Sequence, residues 1–289
     1  MSVVAQADQV NTRSSALLAA RARLNVVRML EATPAGHVGG ALSCIDAVAV
    51  LYSDFLNVAP DRINDPTRDR FLLSAGHKAL AQYAVLAEQG FFDKTILDTY
   101  GKANTALGGH PDMHKLPGIE GNTGALGHGL GLGVGMALGL READAHVYVV
   151  MGDGELAEGS NWEGAAMAAH YRVDNLTALI DVNGMQISGT TAEVMNMEQI
   201  GAKFEAFGWH VTEIDGHDHE LLHQVLSEDP HPGFPTAIIL RTVKGCGISE
   251  IAGTVGSHYW KPNAEQLAAA RTEIEEVIAV LESAEEKKS

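Results

Sequence analysis

Apolar residues recur along this chain at two spacings. From Ser14 to Glu31, Leu17, Leu18, Leu24, Val27 and Leu30 fall near the helical period, which predicts an amphipathic helix ended by Pro34 and Gly36. A second helix is expected from Ser43, as its cap, to Leu56. Arg70-Phe-Leu-Leu73 reads as a short strand that delivers Ser74-Ala-Gly-His77 to a third helix reaching Gln89. Later the apolar runs become short and nearly continuous at His146–Met151 and Leu176–Val182, as expected of parallel strands buried on both faces, and two more strands are expected at His210–Ile214 and Thr236–Arg241. Helical segments at Trp162–Tyr171 and His219–Leu226 lie between them, and an amphipathic helix over Asn263–Glu286 ends in a frayed Glu-Glu-Lys-Lys-Ser. Repeated strand–helix–strand units predict a doubly wound α/β fold, a mostly parallel sheet with helices on both faces. No linker divides the chain, so residues 1–289 are expected to form one domain.

Two stretches break the pattern. Gly101 to Gly124 is irregular and rich in glycine and proline, a length of connection that usually carries function. Of 31 glycines, eight fall between Gly121 and Gly139. The run Gly124–Leu140 is expected to be a closely packed helix, although each glycine costs roughly 1 kcal/mol there.

Composition narrows the function. A net charge of −17 argues against a nucleic-acid binder. Two cysteines, Cys44 and Cys246, suit a reducing compartment, and Met1–Val10 shows no secretory leader. No apolar stretch is long enough to span a membrane. These features point to the cytoplasm.

Ligands of parallel sheets collect beyond the carboxyl ends of the strands. Gly152-Asp153-Gly154 ends one strand and Asn183-Gly184 the next, a separation that fits one crossover. A carboxylate and an amide oxygen there suit Mg2+ or Ca2+. Flanking glycines admit a phosphate, and a helix starting near Gly159 offers free N–H groups, so the expected ligand is a metal-bridged diphosphate. Dinucleotide binding fails on spacing: in Gly127–Gly135 no register gives G-x-G-x-x-G, and no G-x-x-x-x-G-K-[ST] occurs.

Gly152-Asp-Gly-Glu-Leu-Ala-Glu-Gly-Ser-Asn-Trp-Glu163 through Leu179-Ile-Asp-Val-Asn183 resembles the thiamine-diphosphate motif of transketolases. Ala35–Gly40, Arg68–His77, Gly109-His-Pro111 and Leu116–Gly129 resemble further family segments in family order. The resemblance implies that Asp153, Asn183 and the Met185 carbonyl ligate the metal and that Gly154 meets the diphosphate. Gly124 and Leu126 would pack near the cofactor rings, with Glu158 and Glu163 in a cofactor and subunit-interface network. His37, His77, His110 and His258 would line the substrate channel. His37 and His258 would move protons, and His77 and His110 would bind the donor's C1 hydroxyl and carbonyl region. His146, His217, His219, His223 and His231 are set aside as structural or surface residues.

Three positions depart from the family pattern: Lys78 after His77, Cys246 in Lys244-Gly-Cys-Gly247, and Ser257-His-Tyr259. They are expected near the channel mouth. The family's pyrimidine-binding and C-terminal domains are expected on a separate chain. The resemblance thus implies the N-terminal subunit of a two-chain transketolase, a heterotetramer that self-associates and transfers a two-carbon ketol unit between small sugar substrates. A decarboxylating or deoxyxylulose-phosphate-synthase-like half, or an orphan subunit without turnover, are the alternatives.

Overall fold

The computed structural model describes residues 12–228 and 230–287; the segment read for a leader and the last two residues lie outside them. Five strands, β1 (Arg70–Leu73), β2 (Val147–Gly152), β3 (Leu176–Val182), β4 (His210–Asp215) and β5 (Thr236–Arg241), form one parallel sheet in the order β1-β2-β3-β5-β4. β3 and β5 carry the bounds that periodicity predicts. Their continuous apolar runs are explained by burial on both faces, which leaves no position for a polar alternation.

Nine helices accompany the strands among the described residues: α1 (Thr12–Ala32), α2 (Gly39–Val50), α3 (Ala79–Glu88), α4 (Gly129–Gly139), α5 (Gly159–His170), α6 (Thr191–Val194), α7 (Ile200–Ala206), α8 (His219–Leu226) and α9 (Ala264–Glu286). Because side chains alternate along a strand, the sheet divides the core in two. Phe71, Leu73, Tyr148, Val150, Leu179, Ile238 and Leu240 pack with α1, α2, α3 and α9. Leu72, Val147, Val149, Met151, Ala178, Ile180, Ala237 and Ile239 pack with α4, α5 and α7. Ion pairs Arg271–Glu31 and Arg21–Glu282 join α1 to α9, but such exposed pairs contribute at most about 1 kcal/mol each. The buried apolar contacts hold the two helices.

The starts of α2 and α4 and two short helices differ from expectation. α2 begins at Gly39, so Ser43 is inside the helix and its hydroxyl is not a cap. Two glycines start this helix because it lies against other chain: a Cβ at Gly39 would fall 2.3 Å from Ser257 Oγ. α4 starts at Gly129 rather than Gly124, since Gly124 and Gly127 have φ of 133° and 84°, outside the helical region. The short helices α6 and α7 have no counterpart in the periodicity; α7 buries only Ile200 and Phe204, too few positions to show a period.

Candidate active site

A cavity of about 560 Å³ opens where β2 and β3 end. His37, His77, His110, His258, Gly124, Leu126, Asp153, Gly154, Glu158, Asn183 and Met185 all line it. Glu163 does not; it is exposed in a separate groove between α4 and α5.

Local backbone chemistry brings these residues together. Asp153 directly follows β2, and its carboxylate accepts from the N–H groups of Gly154 at 2.8 Å and Gly184 at 2.7 Å. Burial, with Asp181 nearby, pushes the Asp153 pKa up to about 6. Beyond β3, Asn183 Oδ1 accepts from Met185 N at 3.2 Å. The 185–190 loop closes by pairing Met185 with Thr190. Gln186 Nε2 then donates to the Gly154 carbonyl at 3.2 Å, tying the loop to the turn after β2. The Asp153 carboxylate, the Asn183 amide and the Met185 carbonyl, all on the cavity lining, offer oxygen donors. Such donors fit a hard cation and not a thiolate-seeking one.

The histidines arrive by different routes. Gly36 and Trp260 exchange backbone hydrogen bonds at 3.1 and 3.0 Å, which places His37 beside His258 and Tyr259. His77 follows β1 on a tight turn. A Cβ at Gly76 would lie 2.7 Å from the Thr123–Gly124 backbone, so glycine permits that approach. The ring centroids of His37, His77 and His258 form a triangle with sides of 5.5, 5.2 and 5.5 Å. His110 packs over Gly124, where a Cβ would be 2.6 Å from its Cδ2. Its carbonyl is 2.9 Å from the hydroxyl of the buried Tyr83. Burial depresses His77 to about 2 and His258 to about 4, and lowers His37. These three imidazoles are therefore neutral near pH 7, and each offers one hydrogen-bond donor and one acceptor.

Sequence reasoning missed three polar groups under and beside the cavity and misplaced a fourth. Glu155 is buried and accepts from Ser74 Oγ at 2.5 Å, Gly127 N at 2.9 Å and Gly152 N at 3.2 Å. Lys244 Nζ donates to the Met185 carbonyl at 3.1 Å and lies 3.3 Å from His258 Nδ1. Asp181 is wholly buried and paired with Lys78. Its signal was an acid inside an otherwise apolar strand. Lys78 was expected near a channel mouth; its side chain instead runs under the cavity floor, 3% exposed. Cys246 is partly buried and outside the cavity lining.

The fold and this site define a doubly wound α/β domain with a cavity at its strand ends, lined on one side by a cluster of neutral histidines. Residues 14–275 match the family described as transketolase, thiamine diphosphate binding domain. The chain is 42% identical over 263 residues to one of the subunits of the apulose-4-phosphate transketolase of Phocaeicola vulgatus, covering 90% of this chain and 93% of that one. It is 40% identical over 243 residues to the 6-deoxy-6-sulfo-D-fructose transketolase subunit SqwG of Clostridium sp. (strain MSTE9), covering 83% and 88%. The crystal structure of transketolase from Campylobacter jejuni superposes with a TM-score of 0.84 at 28% identity, over 92% of this chain but only 43% of that one. The chain belongs to the transketolase family. It corresponds to the family's thiamine-diphosphate-binding domain, and the two relatives named above, each matched over most of its length, are transketolase subunits.

Proposed function

We propose that this chain is the N-terminal subunit of a two-chain transketolase, transferring a two-carbon ketol unit from a ketose donor to an aldose or other aldehyde. One observation carries the reading: Asp153 and Asn183, on neighbouring strands, open onto the same cavity as the His37–His77–His258 triangle. Bound thiamine diphosphate would supply the electron sink for breaking and remaking the carbon–carbon bond. Asp153, Asn183 and the Met185 carbonyl would hold Mg2+ or Ca2+, and Gly154 would let the diphosphate approach the backbone. Gly124 and Leu126 would meet the cofactor rings, with Glu158 at the rim. His37 and His258 would move protons at substrate hydroxyls, while His77 and His110 would orient the donor.

The rest of the site would come from a partner chain carrying the pyrimidine-binding and C-terminal domains, with residues 1–289 as a single diphosphate-binding domain. Ile187 and Val194 line the cavity yet are 73% and 45% exposed, which supports a covering partner. Among the described residues the cavity lining takes its cationic side chains from Lys78 and Lys244, and Lys78 is spent on Asp181; the anionic end of a sugar phosphate or sulfo-sugar would be held by that partner. Self-association within a heterotetramer would use α4 and α5. Gly131, Gly135 and Gly139 of α4 have open space where a Cβ would be, and Leu132 and Met167 are exposed beside Glu163. Cytoplasmic residence agrees with two free cysteines, and no helix among the described residues is long and apolar enough to cross a membrane.

The test is to recover the stoichiometric companion of this chain from its source cells and reconstitute the pair. Ketol transfer that requires thiamine diphosphate and Mg2+, and that Asp153→Ala abolishes, is expected. Release of CO2 from a 2-oxo acid in place of ketol transfer, or full activity in Asp153→Ala, would overturn the reading.

A further inference from the structure

The cavity floor holds a charged pair with no assigned role. Lys78 Nζ donates to Asp181 Oδ2 at 2.5 Å, and the two side chains are 3% and 0% exposed. Two glycines make room for the lysine: a Cβ at Gly40 would lie 3.2 Å from Lys78 Cε, and one at Gly152 would lie 3.3 Å from Nζ. Asp181 Oδ2 also accepts from Ser43 Oγ at 2.6 Å and from Asn183 Nδ2 at 3.1 Å, while Oδ1 accepts from Thr242 Oγ1.

The Asn183 amide is thereby oriented. Its nitrogen donates into this network, to Asp181 and to Ser43 Oγ at 3.3 Å, and its oxygen faces the other way, toward Met185 N. An amide turned over would present N–H groups where a cation needs an oxygen. Taking an ion pair out of water is costly, and apolar residues of similar volume would stabilise the fold as well or better. What the pair supplies that they could not is direction.

We propose that Lys78 is a positioning residue for the cation site: its ammonium fixes Asp181, and Asp181 fixes the Asn183 amide with Oδ1 as the offered ligand. The proposal deepens the functional reading above and rests on it. Without the ammonium, Asp181 is left a buried carboxylate held only by Ser43, Thr242 and Asn183, and the oxygen that accepts from the amide loses its strongest anchor.

The test uses the reconstituted two-chain protein without substrates. Thiamine diphosphate binding is followed by calorimetry at increasing Mg2+, alongside the thermal midpoint. Lys78→Met should raise the Mg2+ concentration for half-maximal binding by about tenfold or more, the usual consequence of losing a group that orients a metal ligand. Lys78→Arg, which keeps the charge, should recover part of that loss. Asp181→Asn should match Lys78→Met, and the double variant should be no worse than either single one. If Lys78→Met does not fold, Asp181→Asn carries the test by the same criterion. A lowered thermal midpoint with unchanged Mg2+ dependence in these variants would overturn the positioning role and leave a structural one. Cofactor binding by the unaltered protein that ignores Mg2+ would overturn the functional reading itself, and the positioning role with it.

Discussion

Glu155 Oε1 accepts the backbone N–H of Gly127 at 2.9 Å, joining the turn after β2 to the loop that leads into α4. The same carboxylate takes Ser74 Oγ and Gly152 N, so one buried acid connects the ends of β1 and β2 to the Gly124–Gly127 segment on the cavity wall. Glu155→Gln keeps the shape but turns an amide N–H₂ toward groups that are themselves donors. A loss of about 2 kcal/mol or more in unfolding free energy is expected from the unpaired buried donors. Urea denaturation of the isolated chain measures it, and an unchanged midpoint would deny the carboxylate this role.

The glycines of α4 divide into two sets with opposite expected behaviour. A Cβ at Gly129 would lie 2.3 Å from Ser74 Cβ, and one at Gly133 would lie 2.5 Å from Val149 Cγ2. Gly129→Ala should therefore destabilise the isolated chain by about 1–3 kcal/mol through overpacking. Gly131→Ala meets open space and should raise helix stability by up to about 1 kcal/mol. If the α4–α5 face joins two copies, Gly131→Ala should also weaken self-association by about tenfold, the equivalent of one crowded methyl at an interface. Sedimentation of the two variants separates these effects, and unaltered self-association in Gly131→Ala would argue for another face.

The histidine triangle predicts a loss of rate without a loss of fold. His37→Ala and His258→Ala in the reconstituted pair should each lower kcat/KM for ketol transfer by about a hundredfold, the low end for a positioned proton donor or acceptor. Calorimetric cofactor binding should change little, because neither ring belongs to the oxygen set. A large loss of cofactor affinity with kcat intact would reassign these histidines to binding.

His146 ties stability to pH at a place remote from the cavity. Its Nε2 lies 2.8 Å from Thr177 Oγ1, and burial depresses its pKa to about 4. The unfolded chain takes up the proton near pH 6.5, whereas the folded protein resists it until near pH 4. Stability is therefore fully present above the unfolded value and is lost as pH falls through this window, by about 2 kcal/mol between pH 7 and pH 5. His146→Gln removes the titrating group, so its urea midpoint should depend less steeply on pH than that of the parent. Identical slopes would show that other groups carry the acid sensitivity.

Strands and helices with one dominant contact face were legible in the residues. β3, β5 and α8 announce themselves because burial on both faces, or on one stripe, writes a period into the sequence. The start of α2 was not legible, since Gly39 and Gly40 read as a break until Ser257 and Lys78 are seen against them. At the site, Asp153 and Asn183 stand at strand ends where position itself signals chemistry. Lys78, Glu155 and Lys244 act through partners distant in sequence, which no local spacing reveals. His37 and His258 were placed in one cavity by resemblance alone; the Gly36–Trp260 pairing is what joins them.

The strand order has a consequence for how the molecule is made. β4 pairs only with β5, and β5 lies between β3 and β4. On the ribosome β4 emerges first, with nothing to pair to, while β3 presents a bare edge until β5 slots in between. Asp153 and Asn183 leave the exit tunnel long before Trp260 can clasp Gly36. A nascent chain thus carries the Asp153–Asn183 wall of its pocket before His37 and His258 are brought together. The chamber is therefore complete only once β5 has been threaded between β3 and β4 and Trp260 has met Gly36.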